Sequence, residues 1–437
     1  MIPLTPSLSY FKSMRLCALI LMLCLSSSAW AGEASPILSH AVTLTSTSEA
    51  TRLVFDVSAP LDATSYILAN PDRIIIDMPE VHFLMPQSQR SQSLKKQGAH
   101  AQKSNDLIAS YRFGSFAQGR SRIVIDLLNP AQIRHIGSEP RDGGYQFVIE
   151  LTPTDRVHFK IEAEKGRQLL SMAAPSHAAP ISQSVTQPRP VVVIDPGHGG
   201  IDAGAQSAGG FNEKDIVFAF AKRLANRLET SGKYRVVMTR SSDVFVPLNE
   251  RVHIARAANA SLFISIHADT LSDDQGVTGA TVYTVSDRAS DAEAARIAEK
   301  ENQADLAGGL DRREDQGEVN DILFDLTRRE TRSYSHALAQ NLVDVFGKIG
   351  NLNKNPHRSA GFVVLKAPDV PSVLLELGYL SSAKDISNLT KPEWRDQASF
   401  AVAGAIDRFI SARILQNAPE NSPNSLIMGL GQERAHE

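Results

Sequence analysis

Val-Val-Val-Ile-Asp-Pro-Gly-His-Gly-Gly, residues 191–200, decides how the second half of this chain folds. Four consecutive β-branched residues make a short apolar run of the kind that forms a strand buried on both faces. The run stops at an acid and a Pro-Gly turn, then delivers His198 through glycines. In open α/β sheets functional groups gather at the carboxyl ends of strands, so this histidine stands where chemistry is expected. Leu262-Phe-Ile-Ser-Ile-His267-Ala-Asp269 has the same construction. Around both segments strands alternate with amphipathic helices. The pattern predicts strands at Val191–Asp195, Arg235–Arg240, Leu262–His267, Thr281–Val285, Gly361–Lys366 and Ser372–Glu376. Helices are predicted at Lys214–Thr230, Asn249–Ala260, near Asp291–Leu306, Val319–Ile349 and Pro392–Leu415. Such alternation marks an α/β domain, a central sheet flanked by helices, here over 191–415.

Two imidazoles at neighbouring strand ends suit a metal, because neutral imidazole is a good zinc ligand and both rings can converge on one point. Taken singly, each would more often be an ordinary buried or surface histidine. A catalytic zinc commonly takes three protein ligands and leaves a fourth position for water. Glu213 is the candidate for the third: it follows the Gly209-Gly210 turn and begins a helix. The competing reading is a first-turn acid favoured by the helix dipole. Glu376 ends the most apolar strand, Ser-Val-Leu-Leu-Glu. A carboxylate there must be paired, ligated or working, since a lone buried charge is costly. Beside an activated water it is placed for general acid and base work.

The first half repeats itself. Arg52-Leu-Val-Phe-Asp-Val57, Arg73-Ile-Ile-Ile-Asp-Met78 and Arg122-Ile-Val-Ile-Asp-Leu127 share one pattern, with Gln146-Phe-Val-Ile-Glu-Leu151 a weaker fourth copy. Runs of this kind between turn residues predict antiparallel strands. The spacing suggests two similar hairpin-based sheets separated by a polar insertion at Gln87–Asn105, together a β-sandwich over 35–154. No residue set here looks catalytic, and its acids are expected to face solvent or pair with the repeated arginines. A Pro/Ser/Ala-rich linker is expected over 155–190 and a disordered tail over 416–437.

The 437 residues are 42% hydrophobic and 21% charged, which excludes both a polytopic membrane protein and a mostly disordered chain. A net charge of −3 leaves no footprint for nucleic acid. Lys12 and Arg15, the apolar run Leu16–Leu25 and Ala29-Trp30-Ala31 form the three regions of a cleavable signal peptide over 1–31. Its ten apolar residues fall short of the ~20 that span a bilayer. Both cysteines lie in that segment, so the mature chain is expected to lack them and to hold any metal by histidine and carboxylate alone. The expected destination is a bacterial periplasm.

Between the strands near Thr281 and Gly361 stand about 75 residues, far more than the ~10–12 that a crossover requires. An insertion over 291–325 is expected to house something extra. Asp291–Leu306 holds strong helix formers but only Ile297 and Leu306 as large apolar residues, so its docking should be weak and reversible. A Gly308-Gly309 hinge and the charged run Asp311–Glu318 follow. The plain reading is a solvated surface helix.

Four motifs now stand in order: DPGHGG at 195–200, NEK at 212–214, SIHAD at 265–269 and LELGYLS at 375–381. Together they resemble the zinc-dependent N-acetylmuramoyl-L-alanine amidases of the amidase-3 family. The repeated strands of the first half are similar to the AMIN domain, a wall-targeting module of cell-envelope proteins. The order of the two resembles the AmiC-type cell-division amidases. The expected fold is therefore multidomain, an N-terminal all-β sandwich (AMIN-like) plus a C-terminal α/β zinc amidase domain. The resemblance implies a zinc ion on His198, Glu213 and His267, with Glu376 as the catalytic carboxylate. The implied reaction cleaves the amide between the lactyl group of the peptidoglycan glycan and the stem peptide's L-alanine, in daughter-cell separation at the septum. It further implies that a helix in the insertion blocks the cleft with a glutamate until a LytM-domain activator binds. Glu301 is the candidate plug and Glu299 the alternative. A monomer without a transmembrane segment is expected. Two other classes remain: a wall-binding scaffold with an inactive hydrolase domain, and a zinc peptidase acting on the stem peptide.

Overall fold

In the computed structural model the repeated β-branched runs become central strands of two five-stranded sheets. The structure describes residues 36–47, 49–93, 107–173, 189–271, 277–310 and 322–416. The expected signal peptide with Cys17 and Cys24, the charged run 311–318 and the tail beyond 416 lie outside them.

The β half comprises β1 (Ile37–Ser46), β2 (Thr51–Val57), β3 (Thr64–Leu68), β4 (Arg73–Pro79), β5 (Val81–Phe83), α1 (Gln87–Arg90) and β6 (Ser91–Ser93). It continues through β7 (Ile108–Ala117), β8 (Arg120–Leu127), β9 (Ala131–Arg141), β10 (Gly144–Pro153) and α2 (Arg156–Ala173). One sheet has the order β5-β1-β2-β10-β9 and the other β3-β4-β8-β7-β6. Alternate residues of both, among them Leu53, Phe55, Ile74, Ile76, Phe113, Ile123, Phe147 and Ile149, form one apolar core. The repeats do not fold as two self-contained hairpin sheets. The first copy pairs antiparallel with the fourth, and the second with the third. This crosswise pairing sets each repeated arginine opposite an acid: Arg122 lies 2.5 Å from Asp77 and Arg52 3.4 Å from Glu150.

The expected linker over 155–190 is corrected in its first part, because α2 occupies Arg156–Ala173. Phe159 and Ala163, one turn apart, are buried and give this polar segment the stripe it needs to dock.

The α/β half runs β11 (Val191–Pro196), α3 (Glu213–Thr230), β12 (Arg235–Met238), α4 (Leu248–Ala257), β13 (Leu262–His267) and β14 (Ala280–Val285). Then follow α5 (Ala292–Glu301), α6 (Ala304–Ala307), α7 (Ile322–Ile349), β15 (Leu352–Ala360), β16 (Ser372–Glu376), α8 (Ala383–Leu389) and α9 (Pro392–Gln416). The sheet order is β12-β11-β13-β16-β14-β15. All neighbours are parallel except β14 and β16. One face packs on α3, α7 and α9, and the other on α4, α5 and the chain at 360–370. The strand expected at Gly361–Lys366 is a loop with one 3₁₀ turn at Val363–Leu365, and the strand precedes it at Leu352–Ala360. An edge strand pairs on one side only, so the polar sequence LNKNPHRSA serves there, whereas the apolar residues after it fill the core. In the central strands Asp195 pairs in register with Ser265, and His267 with Glu376. Their carboxyl ends therefore bring the chemically active residues to one edge.

Candidate active site

His198 enters the site on a strained backbone. Its φ is +57°, in the left-handed region that a non-glycine residue rarely adopts. Two buried arginines hold this turn through its carbonyls. Arg251 donates to the carbonyls of Pro196 and His198, both at 3.0 Å, and Arg240 to those of Pro196 at 3.0 Å and Gly197 at 3.1 Å. Arg251 also pairs with the buried Asp195 at 2.7 Å, which accepts from Thr239 and Ser265. Burial opposes charge on Asp195, but Arg251 and the two hydroxyls still hold its carboxyl below the usual range. Gly197 has no substitute here: a Cβ on it would stand 2.5 Å from the His267 ring.

The two imidazoles lie edge to face with centroids 4.9 Å apart. His198 Nδ1 is 2.8 Å from Asp202 Oδ2, and since a carboxylate only accepts, Nδ1 carries a hydrogen and Nε2 is the nitrogen turned toward the other acids. That Nε2 is buried and makes no hydrogen bond. Glu213, at the start of α3, reaches both rings, with Oε2 3.2 Å from His198 Nε2 and Oε1 3.1 Å from His267 Nδ1. Backbone N–H groups of Ala205 and Ala268 fix its two oxygens at 2.9 Å each. Glu301, at the end of α5, puts Oε2 3.5 Å from His198 Nε2 and 3.2 Å from His267 Nδ1. His198, His267 and Glu301 thus form a buried group whose ligand atoms lie within 4.8 Å of one another. Glu376 stands beside them at the end of β16. Its Oε2 accepts from the Asp269 N–H at 3.0 Å, and its buried Oε1 makes no hydrogen bond.

These acids crowd one another. Burial raises the Glu376 pKa well above the carboxylate range, and the charges of Glu213, Asp269 and Glu301 add to that. Glu301 is raised by burial despite the two histidines. Burial also works against Glu213, but His198 and His267 hold it well below its usual value. On His198, burial opposes the charge and Asp202, Glu213 and Glu301 overcome it, so its pKa rises well above that of free imidazole. Five buried carboxylates face two imidazoles and Lys300, which pairs with Asp269. The orphaned Nε2, the unpartnered carboxylate oxygens and this excess of negative charge suit a divalent cation.

Comparison with known proteins decides the family. Residues 192–408 match the family model described as N-acetylmuramoyl-L-alanine amidase, and residues 41–149 match the AMIN domain. The amidase AmiC of Escherichia coli O6:H1 is 30% identical over 370 residues, covering 83% of this chain and 87% of that protein. AmiC of Neisseria meningitidis serogroup B is 32% identical over 382 residues, covering 84% and 88%. The chain belongs to the N-acetylmuramoyl-L-alanine amidases. Among solved structures, AmiC2 of Nostoc punctiforme is 30% identical and covers 52% of this chain and 99% of that one, with a TM-score of 0.36. The amidase therefore has an AMIN domain followed by a catalytic domain that acts on the amide joining N-acetylmuramic acid to L-alanine in peptidoglycan. No described helix is long and apolar enough to cross a membrane.

All the residues singled out from sequence in this amidase, His198, Glu213, His267, Glu376 and Glu301, meet at one place. Glu299, the alternative to Glu301, faces away and lines a surface groove with Asn302 and Asp305. Sequence reasoning missed Asp202, Arg240, Arg251 and the Lys300–Asp269 pair. Asp202, four residues after His198, carried a usable signal, since a histidine ligand commonly has a carboxylate on its other nitrogen.

Proposed function

We propose that this amidase is a zinc enzyme of the periplasm, and that His198, Glu213 and His267 hold the metal. The supporting observation is the convergence of His198 Nε2, His267 Nδ1 and both Glu213 oxygens, at 3.1–3.2 Å, with Nε2 left unbonded. A bound zinc ion would supply Lewis acidity, easing deprotonation of water and polarising the scissile carbonyl. Asp202 keeps His198 in the tautomer that presents Nε2. Glu376 takes the proton from the attacking water through its free Oε1 and hands it to the departing L-alanine nitrogen. Burial and its acidic neighbours raise its pKa, which favours the protonated form that hands the proton on. The amide carbon gains an oxygen, the C–N bond breaks, and the stem peptide leaves with a free amine.

Glu301 is the plug. Its carboxylate lies 3.5 Å from His198 Nε2 and 3.2 Å from His267 Nδ1, against the proposed metal ligands, which supports an autoinhibitory role. An unregulated wall hydrolase would lyse its own cell, which is why a removable acid is a sensible safeguard. Release would fall to a LytM-domain activator, with the AMIN module directing the enzyme to wall at the division septum.

Sacculi digested by the wild type and by Glu376→Gln, with and without a chelator, test the assignment. Mass analysis should find free stem peptides beginning with L-alanine, lost on chelation and reduced at least ~100-fold by the substitution. Cleaved stems still attached to glycan would overturn it in favour of a peptidase. No product from any preparation, even with Glu301 removed, would favour an inactive scaffold.

A further inference from the structure

The AMIN module touches the catalytic domain at the segment that carries the plug. Residues 306–310 follow Glu301 within three turns' length of chain, and their carbonyls end the short helix α6. Such terminal carbonyls have no partner inside the helix. Here guanidinium groups of the β-sandwich bond them, beside the Gly309 N–H from which the Leu306 carbonyl also accepts at 3.0 Å. Arg112 on β7 donates from Nη2 to the carbonyl of Leu306 and from Nε to that of Ala307, both at 2.7 Å. Arg122 on β8 donates to the carbonyl of Gly308 at 2.8 Å.

Both arginines are held in place by their own sheet. Asp77 grips Arg122 with both oxygens, at 2.5 and 2.8 Å, and the Phe116 ring lies 3.4 Å beneath it. Asp126 pairs with Arg112 at 2.7 Å. Gly309 has φ +77° and passes so close to the sheet that a Cβ would stand 2.4 Å from Ile75 Cδ1. Leu310 completes an apolar cluster of Tyr66, Ile75 and Val124 with Ile201 and Phe245 of the catalytic domain. Ile201, three residues after His198, also donates its N–H to the carbonyl of Ser115 at 2.8 Å. The glycine pair that reads as a free hinge is thus clamped. On the catalytic side, Asn302 bonds the backbone at Gly361 and Val363, and Asp305 accepts from the Leu248 N–H.

We propose that the AMIN module is an intramolecular latch on the active site: the face of β4, β7 and β8 grips residues 306–310 and so keeps Glu301 seated. This rests on the reading of Glu301 as the plug. Withdrawing Glu301 from the cleft must drag 302–310, which either breaks the guanidinium bonds or moves the sheet with it. Plug release and loosening of the contact between the two domains are therefore coupled.

The test uses the zinc-loaded mature chain without activator, measuring dye release from labelled sacculi and hydrogen exchange across 292–310. Arg112→Ala is the primary variant, because its side chain is 17% exposed and Arg122, at 2%, could unfold the module when removed. Arg112→Ala should raise basal hydrolysis about tenfold and accelerate exchange in 292–310, with zinc content unchanged. Glu301→Ala should raise it at least as far, and the double variant no further than Glu301→Ala alone. An accelerated Glu301→Ala beside an Arg112→Ala with wild-type rate and exchange would overturn the latch and leave the plug standing. Wild-type rates for Glu301→Ala would overturn the plug itself, whatever exchange Arg112→Ala shows.

Discussion

Asp202 shows how much of this site depends on a residue that touches no substrate. Its carboxylate, 2.8 Å from His198 Nδ1, fixes the ring's direction and adds negative charge behind the proposed metal position. An amide in its place could still accept a hydrogen bond but would lose the charge. Asp202→Asn should therefore fold normally yet bind zinc ~10–100-fold more weakly, which competition with a metallochromic chelator would measure. Unchanged affinity would mean that the loop alone orients the ring. His267 and Glu376 are legible in sequence because each ends an apolar run of strand length, and His198 because it follows such a run through a Pro-Gly turn. Asp202 was less so, since it reaches His198 through a return of the chain, the bridge between Gly199 and Asp202, that no periodicity announces. Arg251 and Arg240 were hidden for a similar reason: their partners are backbone carbonyls far away in sequence.

The element that carries Glu301, the proposed plug, is α5, whose apolar contribution is small: Ala294, Ile297 and Ala298 are its only buried nonpolar residues. The sparse stripe was readable in advance, and it implied weak docking. What compensates is polar and was not readable. Asp291 caps the helix, accepting from the Ala294 N–H at 2.9 Å, and pairs with Arg358 of the edge strand at 2.7 Å. That strand, β15, was misplaced from sequence because its residues are polar, so its arginine could not be assigned to the helix. Asp291→Ala should cost about 1 kcal/mol of helix stability and speed exchange in 292–301 about fivefold at neutral pH. The pH dependence has a definite sign. Although burial opposes it, the Ala294 N–H, Ser290 and Arg358 lower the Asp291 pKa, so its stabilisation is present above the unfolded value of about 3.9. It disappears as pH falls through the lower, folded value. The extra protection of α5 in the wild type over Asp291→Ala should hold steady from neutral pH to about pH 5 and decline below about pH 4. An equal loss of protection in both, with the difference constant, would assign it to another acid.

At the scale of the molecule two cores of different construction share one small boundary. The β-sandwich has its own interior, and the α/β domain has one on each face of its sheet. Between them lie the cluster around Ile75, Val124, Ile201 and Phe245, the stacked Phe116 and Phe245 rings and the Arg112 and Arg122 bonds. The division into halves was plain from composition, because period-two runs give way to alternating strands and helices. The boundary was not, since the β-strand residues that form it read as ordinary paired charges. A boundary of this size should couple the halves only weakly, so each should unfold as its own cooperative unit. The proposed zinc binds only the native α/β domain, and at a thousandfold excess over its dissociation constant it would stabilise that unit by ~4 kcal/mol. For a domain of this size each kcal/mol moves the midpoint ~2–4 °C. Calorimetry of the zinc-loaded protein should show two transitions, of which chelation lowers one by roughly 10 °C and moves the other by no more than ~2 °C. Ile75→Ala, at the boundary, should leave the chelator-induced shift of the first transition intact and abolish what little appears in the second. A single transition that chelation shifts as a whole would show that the boundary binds both halves into one cooperative unit, and that separating them costs far more than a latch with three guanidinium bonds requires.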